Sequence, residues 1–114
     1  MPIEDAIRRE LIRRARDKHR RQSVSKSTEP CRWYPHRILH PVLGIPFTDV
    51  GAWNFIADLL SEGQEVTVIN MEKPLGQVGY VMKTPGHKGC PYIYIKVTLS
   101  KNFINGRSFH DDEC

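Results

Sequence analysis

The residues best equipped for chemistry stand close together near the end of the chain. Tyr92-Ile-Tyr94-Ile-Lys96-Val-Thr98-Leu is followed, after a short break, by Ile104-Asn-Gly-Arg107-Ser108-Phe109-His110. A period of two puts Ile93, Ile95, Val97 and Leu99 on one side of a strand and Tyr92, Tyr94, Lys96 and Thr98 on the other. In the returning strand, an inward Phe109 sends Ser108 and His110 out beside the Tyr/Lys row. Ile104 fits that phase badly, and Arg107 then emerges at an edge or at a β-bulge that resets the alternation. Histidine moves protons near neutral pH. Lysine and arginine stabilise a phosphorane-like dianion. Tyrosine stacks on a base or hydrogen-bonds to phosphate. Such a set suits RNA cleavage by attack of a 2′-hydroxyl on its neighbouring phosphate, for which no metal is needed. Tyr94, Lys96 and His110 are the candidate catalytic residues. An ordinary surface strand rich in Tyr and Thr is the competing reading.

The elements that must position these residues follow from pattern. Asp49 reads as the N-cap of a helix over 50–61 with Gly63 as its stop, and Trp53, Ile56, Ala57 and Leu60 share a face. Glu65–Asn70, Val78–Lys83, Pro91–Leu99 and Ile104–His110 read as strands. The turn between the first two is Glu72–Gly76, and Thr84–Gly89 forms a loop. Short connections favour antiparallel pairing. The fold class is therefore α+β: a small antiparallel sheet of about four strands packed against one or two helices, with a basic N-terminal helix. Asp111, Asp112 and Glu113 read as a solvated tail.

Residues 1–28 form that basic helix and its linker. Ile3, Ile7, Leu11 and Ala15 recur at helical spacing over 3–21, and Ser23–Thr28 has linker composition. Residues 1–26 hold nine Lys/Arg against four Asp/Glu, while residues 27–114 hold eight against nine. The positive charge is therefore local, and attraction to an anion, with nucleic acid first, is the expectation. Residues 31–47 mix prolines with aromatic and aliphatic side chains and read as an irregular segment wrapped on the domain, with one turn at 36–40.

Other clusters carry less. Cys31, His36, His40, His87 and Cys90 include metal-ligand types, but neither Cys-x-x-Cys nor His-Glu-x-x-His occurs, so no metal site and no cofactor is assigned. His36 and His40 read as half-buried packing residues. Pro85-Gly86-His87-Lys88-Gly89 lacks the strand–loop–helix setting of a phosphate loop and reads as a hairpin turn. The cysteines are odd in number and sparse, unlike a disulfide scaffold. No apolar run approaches the length of a membrane span and no apolar leader is evident, which makes a cytoplasmic protein the expectation.

The C-terminal half resembles the small mRNA-cleaving toxins of bacterial toxin–antitoxin systems, in the RelE-like group and especially the motility quorum-sensing regulator (MqsR) toxins. The matching stretch is Tyr92-Ile-Tyr94-Ile-Lys96-Val-Thr98-Leu and then Gly106-Arg107-Ser108-Phe109-His110. The family ends similarly in a Val-Tyr-(Leu/Ile)-Lys-(Leu/Ile)-Thr strand and a strand closing on Ser-Phe-Lys. The resemblance implies that residues 29–114 form an RNase-toxin-like domain that cleaves mRNA and is neutralised by an antitoxin protein. It implies that Tyr94 takes the catalytic tyrosine position and that His110 stands where the family has lysine. The strand with Tyr80 and Lys83 would match one that carries a site glutamine, and the nearest glutamine is Gln77. Candidate RNA contacts are Arg107, Tyr92, Lys83, His87, Lys88, Arg13 and Arg14. A non-catalytic nucleic-acid-binding module, or a protein-partner domain of accessory or antitoxin-like kind, explains the same charge and aromatics.

Overall fold

The computed structural model describes residues 3–23, 32–71 and 76–112. Of the expected linker Ser23–Thr28, Ser23 ends a short strand instead; residues 24–28, Cys31, the turn residues 72–75, and Glu113 and Cys114 lie outside the described residues. The elements are α1 (Asp5–Arg16), β1 (Arg21–Ser23), β2 (Arg32–Trp33), a 3-10 turn (Pro35–Arg37), α2 (Asp49–Ser61), β3 (Thr67–Asn70), β4 (Val78–Pro85), β5 (Tyr92–Leu99) and β6 (Ile104–Asp112). The fold is α+β, with two helices packed on one face of a mixed sheet.

Strands β3 to β6 form an antiparallel meander, and the sheet order is β1-β6-β5-β4-β3. The expected antiparallel pairing holds for these strands. Unforeseen from sequence, β1 and β2 both pair with β6 in parallel, end to end along its outer side. They are too short to show a period, and β2 sits in a segment read as irregular. Gly106 admits it: a Cβ there would lie 2.5–2.7 Å from three ring atoms of Trp33. Trp33 can therefore lie directly over the β6 backbone, where it packs on Trp53 and Phe109 at centroid distances of 5.1 and 5.5 Å.

Helix α1 ends at Arg16, shorter than its periodic pattern. Asp17 leaves the helical conformation, and its side chain accepts the His19 N–H at 2.9 Å, a local turn that competes with helix. Leu11 and Ala15 are fully buried in the same core as α2 and the sheet. The basic segment and the domain thus share one core. Among the described residues no helix is long and apolar enough to cross a membrane.

The N-cap of α2 is Thr48 rather than Asp49, because the Thr48 hydroxyl accepts the Gly51 N–H at 2.9 Å. Asp49 has a different duty: its carboxylate accepts from Trp33 Nε1 at 3.0 Å and from the Ser23 hydroxyl at 2.6 Å. It thereby ties β1, β2 and α2 together. Gly63, with φ of 88°, ends the helix as expected.

The first two residues of the expected acidic tail are not a free tail. Asp111 and Asp112 belong to β6, and Asp112 pairs with Lys83 at 3.0 Å. Ile93, Ile95, Val97, Ile104 and Phe109 are completely buried against the helices. Among the described residues, the opposite face of the sheet carries no helix.

Candidate active site

The open face is built by pairing register. Tyr94 lies opposite His110 and also opposite Lys83, while Lys96 lies opposite Ser108 and Val81. Directly opposed residues on one face are near neighbours. Tyr94 and His110 stack, with ring centroids 5.2 Å apart and an interplanar angle of 21°.

The phase conflict in β6 is resolved by a bulge. Lys96 pairs with Ser108 but Val97 pairs with Gly106, so Arg107 is the extra residue. Ile104 and Phe109 can then both face the core while Ser108 and His110 face outward. Arg107 turns over the open face as well. Its Nε donates to Thr98 Oγ1 at 3.4 Å and its Nη2 to Gln77 Oε1 at 3.2 Å. Gln77 thus reaches the face from the start of β4 through Arg107, which strand position alone does not reveal. Thr98 is completely buried, beneath Arg107 rather than on the surface.

Electrostatics define the chemistry each group can do. His110 Nδ1 lies 2.9 Å from the Asp111 carbonyl oxygen. A carbonyl only accepts, so Nδ1 carries a proton there, and in the neutral ring Nε2 is then the acceptor nitrogen. Burial raises the Tyr94 pKa above its ordinary value; the Asp112 carboxylate adds to this and Lys83 opposes it. Tyr94 is therefore a neutral phenol at physiological pH, a hydrogen-bond donor rather than a phenolate. Lys83 also sits 5.8 Å from the centroid of the exposed Tyr92 ring.

The remaining candidates are elsewhere. Tyr80 faces the core opposite Val97, with its pKa raised mainly by burial. His87 packs under the 41–44 turn, its Nδ1 3.4 Å from the Pro41 carbonyl. His87 and the exposed Lys88 line a hollow with Arg37 and Asp111, at the end of the sheet beyond His110. Arg13 and Arg14 belong to the helix layer on the covered face. Arg14 donates to the carbonyls of Ser100, Phe103 and Lys101 at 2.8, 3.0 and 3.3 Å and also pairs with Glu10, so it braces the β5–β6 turn. Arg13 is ion-paired with Glu10 in the exposed part of α1.

Of the two histidines of the irregular segment, His40 packs as expected and His36 does not, since it stands exposed to solvent. His40 lies against Phe47 and Phe55, and its Nδ1 accepts the Val42 and Leu43 N–H groups at 3.1 and 3.2 Å. Cys90 is disulfide-bonded, although the cysteine pattern did not suggest a disulfide framework. Among the described residues no group of three His, Cys, Asp or Glu side chains is arranged to hold a metal ion.

Residues not singled out beforehand also line the face. Gln64, Glu65 and Thr67 border a pocket of about 240 Å³ that includes Lys83 and Tyr94. Their signal was weak, because polar residues at the mouth of an edge strand resemble any solvated turn. Compared with protein-family models, curated proteins and solved structures, the chain matches none of them.

Proposed function

We propose that the open face of the sheet binds single-stranded RNA and cleaves it without a metal ion, as a divergent endoribonuclease toxin of the RelE/MqsR kind. The observation that carries this reading is the cross-strand Tyr94–His110 stack, on the same face as Lys83, Lys96 and Arg107. In this mechanism His110 Nε2 takes the proton of a ribose 2′-hydroxyl. The 2′-oxygen attacks the adjacent phosphorus, and Lys96 and Arg107 offset the charge that develops on the phosphoryl oxygens. The Tyr94 hydroxyl donates to the phosphate. The 5′-oxygen leaves and is reprotonated through water, giving a 2′,3′-cyclic phosphate and a free 5′-hydroxyl.

A protein antitoxin is the proposed partner. It is supported by the exposed aliphatic side chains Val42, Leu43, Ile45 and Val50, which cluster around one loop and the start of α2. The site of action is the cytoplasm, where mRNA resides. A disulfide at Cys90 is uncommon for a cytosolic protein and is the observation that weighs against this location. A free-thiol titration of protein drawn directly from cells tests the location.

The same stack also favours a second reading, a binding module without catalysis, because stacked rings offer a platform for bases. The test is cleavage of single-stranded RNA by the purified chain in EDTA, with analysis of the product ends. His110→Ala is expected to slow cleavage by about 10²–10⁴-fold with an unchanged melting temperature. RNA binding without cleavage selects the binding module. Neither activity selects a protein-partner domain, to be pursued by co-purification.

A further inference from the structure

Beside Tyr94, between the start of β3 and the open side of β4, lies the pocket bordered by Gln64, Glu65, Thr67, Val81, Lys83 and Tyr94. Its volume of about 240 Å³ is ample for one planar nucleobase and small for a folded peptide segment. Its polar equipment is asymmetric. Gln64 Nε2 donates to the carbonyls of Lys83 and Glu65 at 3.0 and 3.2 Å, which fixes the amide and clips the chain before β3 to β4. The Glu65 carboxylate makes no hydrogen bond or ion pair among the described residues, and Glu65 is exposed at the pocket rim. Lys83 carries three N–H donors, and the Asp112 pair holds its ammonium on this side of the sheet. Tyr94 supplies an aromatic ring at the wall.

We propose that this pocket is a base-reading subsite selective for guanine in single-stranded RNA, with the Glu65 carboxylate as the specificity determinant; this rests on the reading of the open face as an RNA surface. The chemistry singles out one base. A carboxylate with both oxygens available accepts two parallel N–H bonds, and only guanine presents adjacent donors, N1–H and N2–H, on its Watson–Crick edge. The neighbouring O6 is an acceptor suited to the Lys83 ammonium. Adenine and cytosine place a ring acceptor next to their amino group, which would face the carboxylate's negative charge. Uracil offers one N–H between two carbonyls. Edge recognition of an unstacked base against an aromatic ring is the usual means of reading single-stranded RNA.

The experiment measures binding of the full chain to labelled oligoadenylate and to the same oligonucleotide carrying one central guanosine or one central inosine. The guanosine oligonucleotide is expected to bind about tenfold or more tightly than oligoadenylate, as for a good two-bond base contact. Inosine, which lacks the N2 amino group, is expected to fall between them. Glu65→Gln is expected to bring the guanosine oligonucleotide down to the oligoadenylate level. Equal binding of all three by the wild-type chain overturns the guanine pocket and leaves the RNA surface standing. A guanosine preference that persists in Glu65→Gln also overturns it. Binding of none overturns the pocket together with the proposed function.

Discussion

The two sides of the sheet hold basic side chains in different ways. On the covered side three of the five arginines of α1 are tied to other elements of the protein. Arg8 donates to the Leu60 carbonyl, Arg14 to the carbonyls of the β5–β6 turn, and Arg16 to Asp58. On the open side Lys83 and Arg107 are paired as well, with Asp112 and with Thr98 and Gln77, but together with Lys96 they share a surface with a stacked Tyr–His pair and a pocket. The region with the greatest positive charge in the sequence is therefore largely an internal brace. The region near electrical neutrality carries the candidate chemistry. Net charge along a chain speaks to long-range attraction, and it does not locate a site.

The sharpest way to separate the two sides is to damage one and measure both. Gly106→Ala puts a methyl group into the Trp33 ring, which Trp53 and Phe109 hold from other directions. Overpacking of a rigid aromatic contact is expected to cost about 1–3 kcal/mol, read as a lower denaturant midpoint at constant m-value. RNA binding by the fraction still folded is expected to be unchanged. A loss of binding without a loss of stability would mean that the Trp33 side of β6 communicates with the open face.

How much of this was legible in the sequence follows from the same contrast. The alternation in β5 placed Ile93, Ile95 and Val97 inward and Tyr94 and Lys96 outward, because burial on one face fixes a strand's phase. The conflict between Ile104 and Phe109 was visible too, and the bulge at Arg107 is its physical answer. What pattern did not reveal depends on partners distant in sequence. The two-residue strand at Arg32–Trp33 forms because Gly106 leaves room for an indole. The cap moved from Asp49 to Thr48 because Asp49 is claimed by Trp33 and Ser23. Asp112 left the tail because Lys83 lies within reach across the sheet. The pocket beside Tyr94 needs the chain before β3 to be clipped to β4 by Gln64, a contact between residues 19 apart in sequence.

Arginine substitutions in α1 sharpen the contrast further. Arg14→Gln removes the donors that serve the carbonyls of Ser100, Lys101 and Phe103. Hydrogen bonds to a charged group are worth more than neutral ones, and the part-buried Phe103 carbonyl loses its charged partner, so a loss of about 1–3 kcal/mol is expected. Arg13→Gln removes only an exposed pair with Glu10 and is expected to leave the melting curve where it is. Neither change is expected to weaken RNA binding by the folded protein beyond a small, salt-dependent factor. If Arg13→Gln weakens binding about as strongly as Lys96→Gln, RNA wraps onto the helix layer and the opposition of the two sides fails.

The smallest effect concerns acid. Glu10 is held below its ordinary pKa of 4.5, first by the Arg13 and Arg14 hydrogen bonds and then by their charges, with desolvation opposing. A carboxyl whose pKa is depressed on folding binds fewer protons in the native than in the unfolded state. Its stabilising contribution is present above the ordinary carboxylate pKa and is lost as pH falls through the lowered folded value. Because Glu10 lies on the solvent side of α1, solvent and salt screen the pair and the contribution is small. The measurement is melting temperature against pH for the wild type and Glu10→Gln. The two curves are expected to differ slightly at neutral pH and to converge between about pH 5 and about pH 3. Added salt is expected to shrink the difference. Open-face chemistry is expected to be indifferent to the substitution, since among the described residues Glu10 bears on the open face only through Arg14 and the β5–β6 turn. A change in the pH dependence of RNA cleavage in Glu10→Gln would show that this turn transmits the state of the helix layer to Lys96 and Arg107.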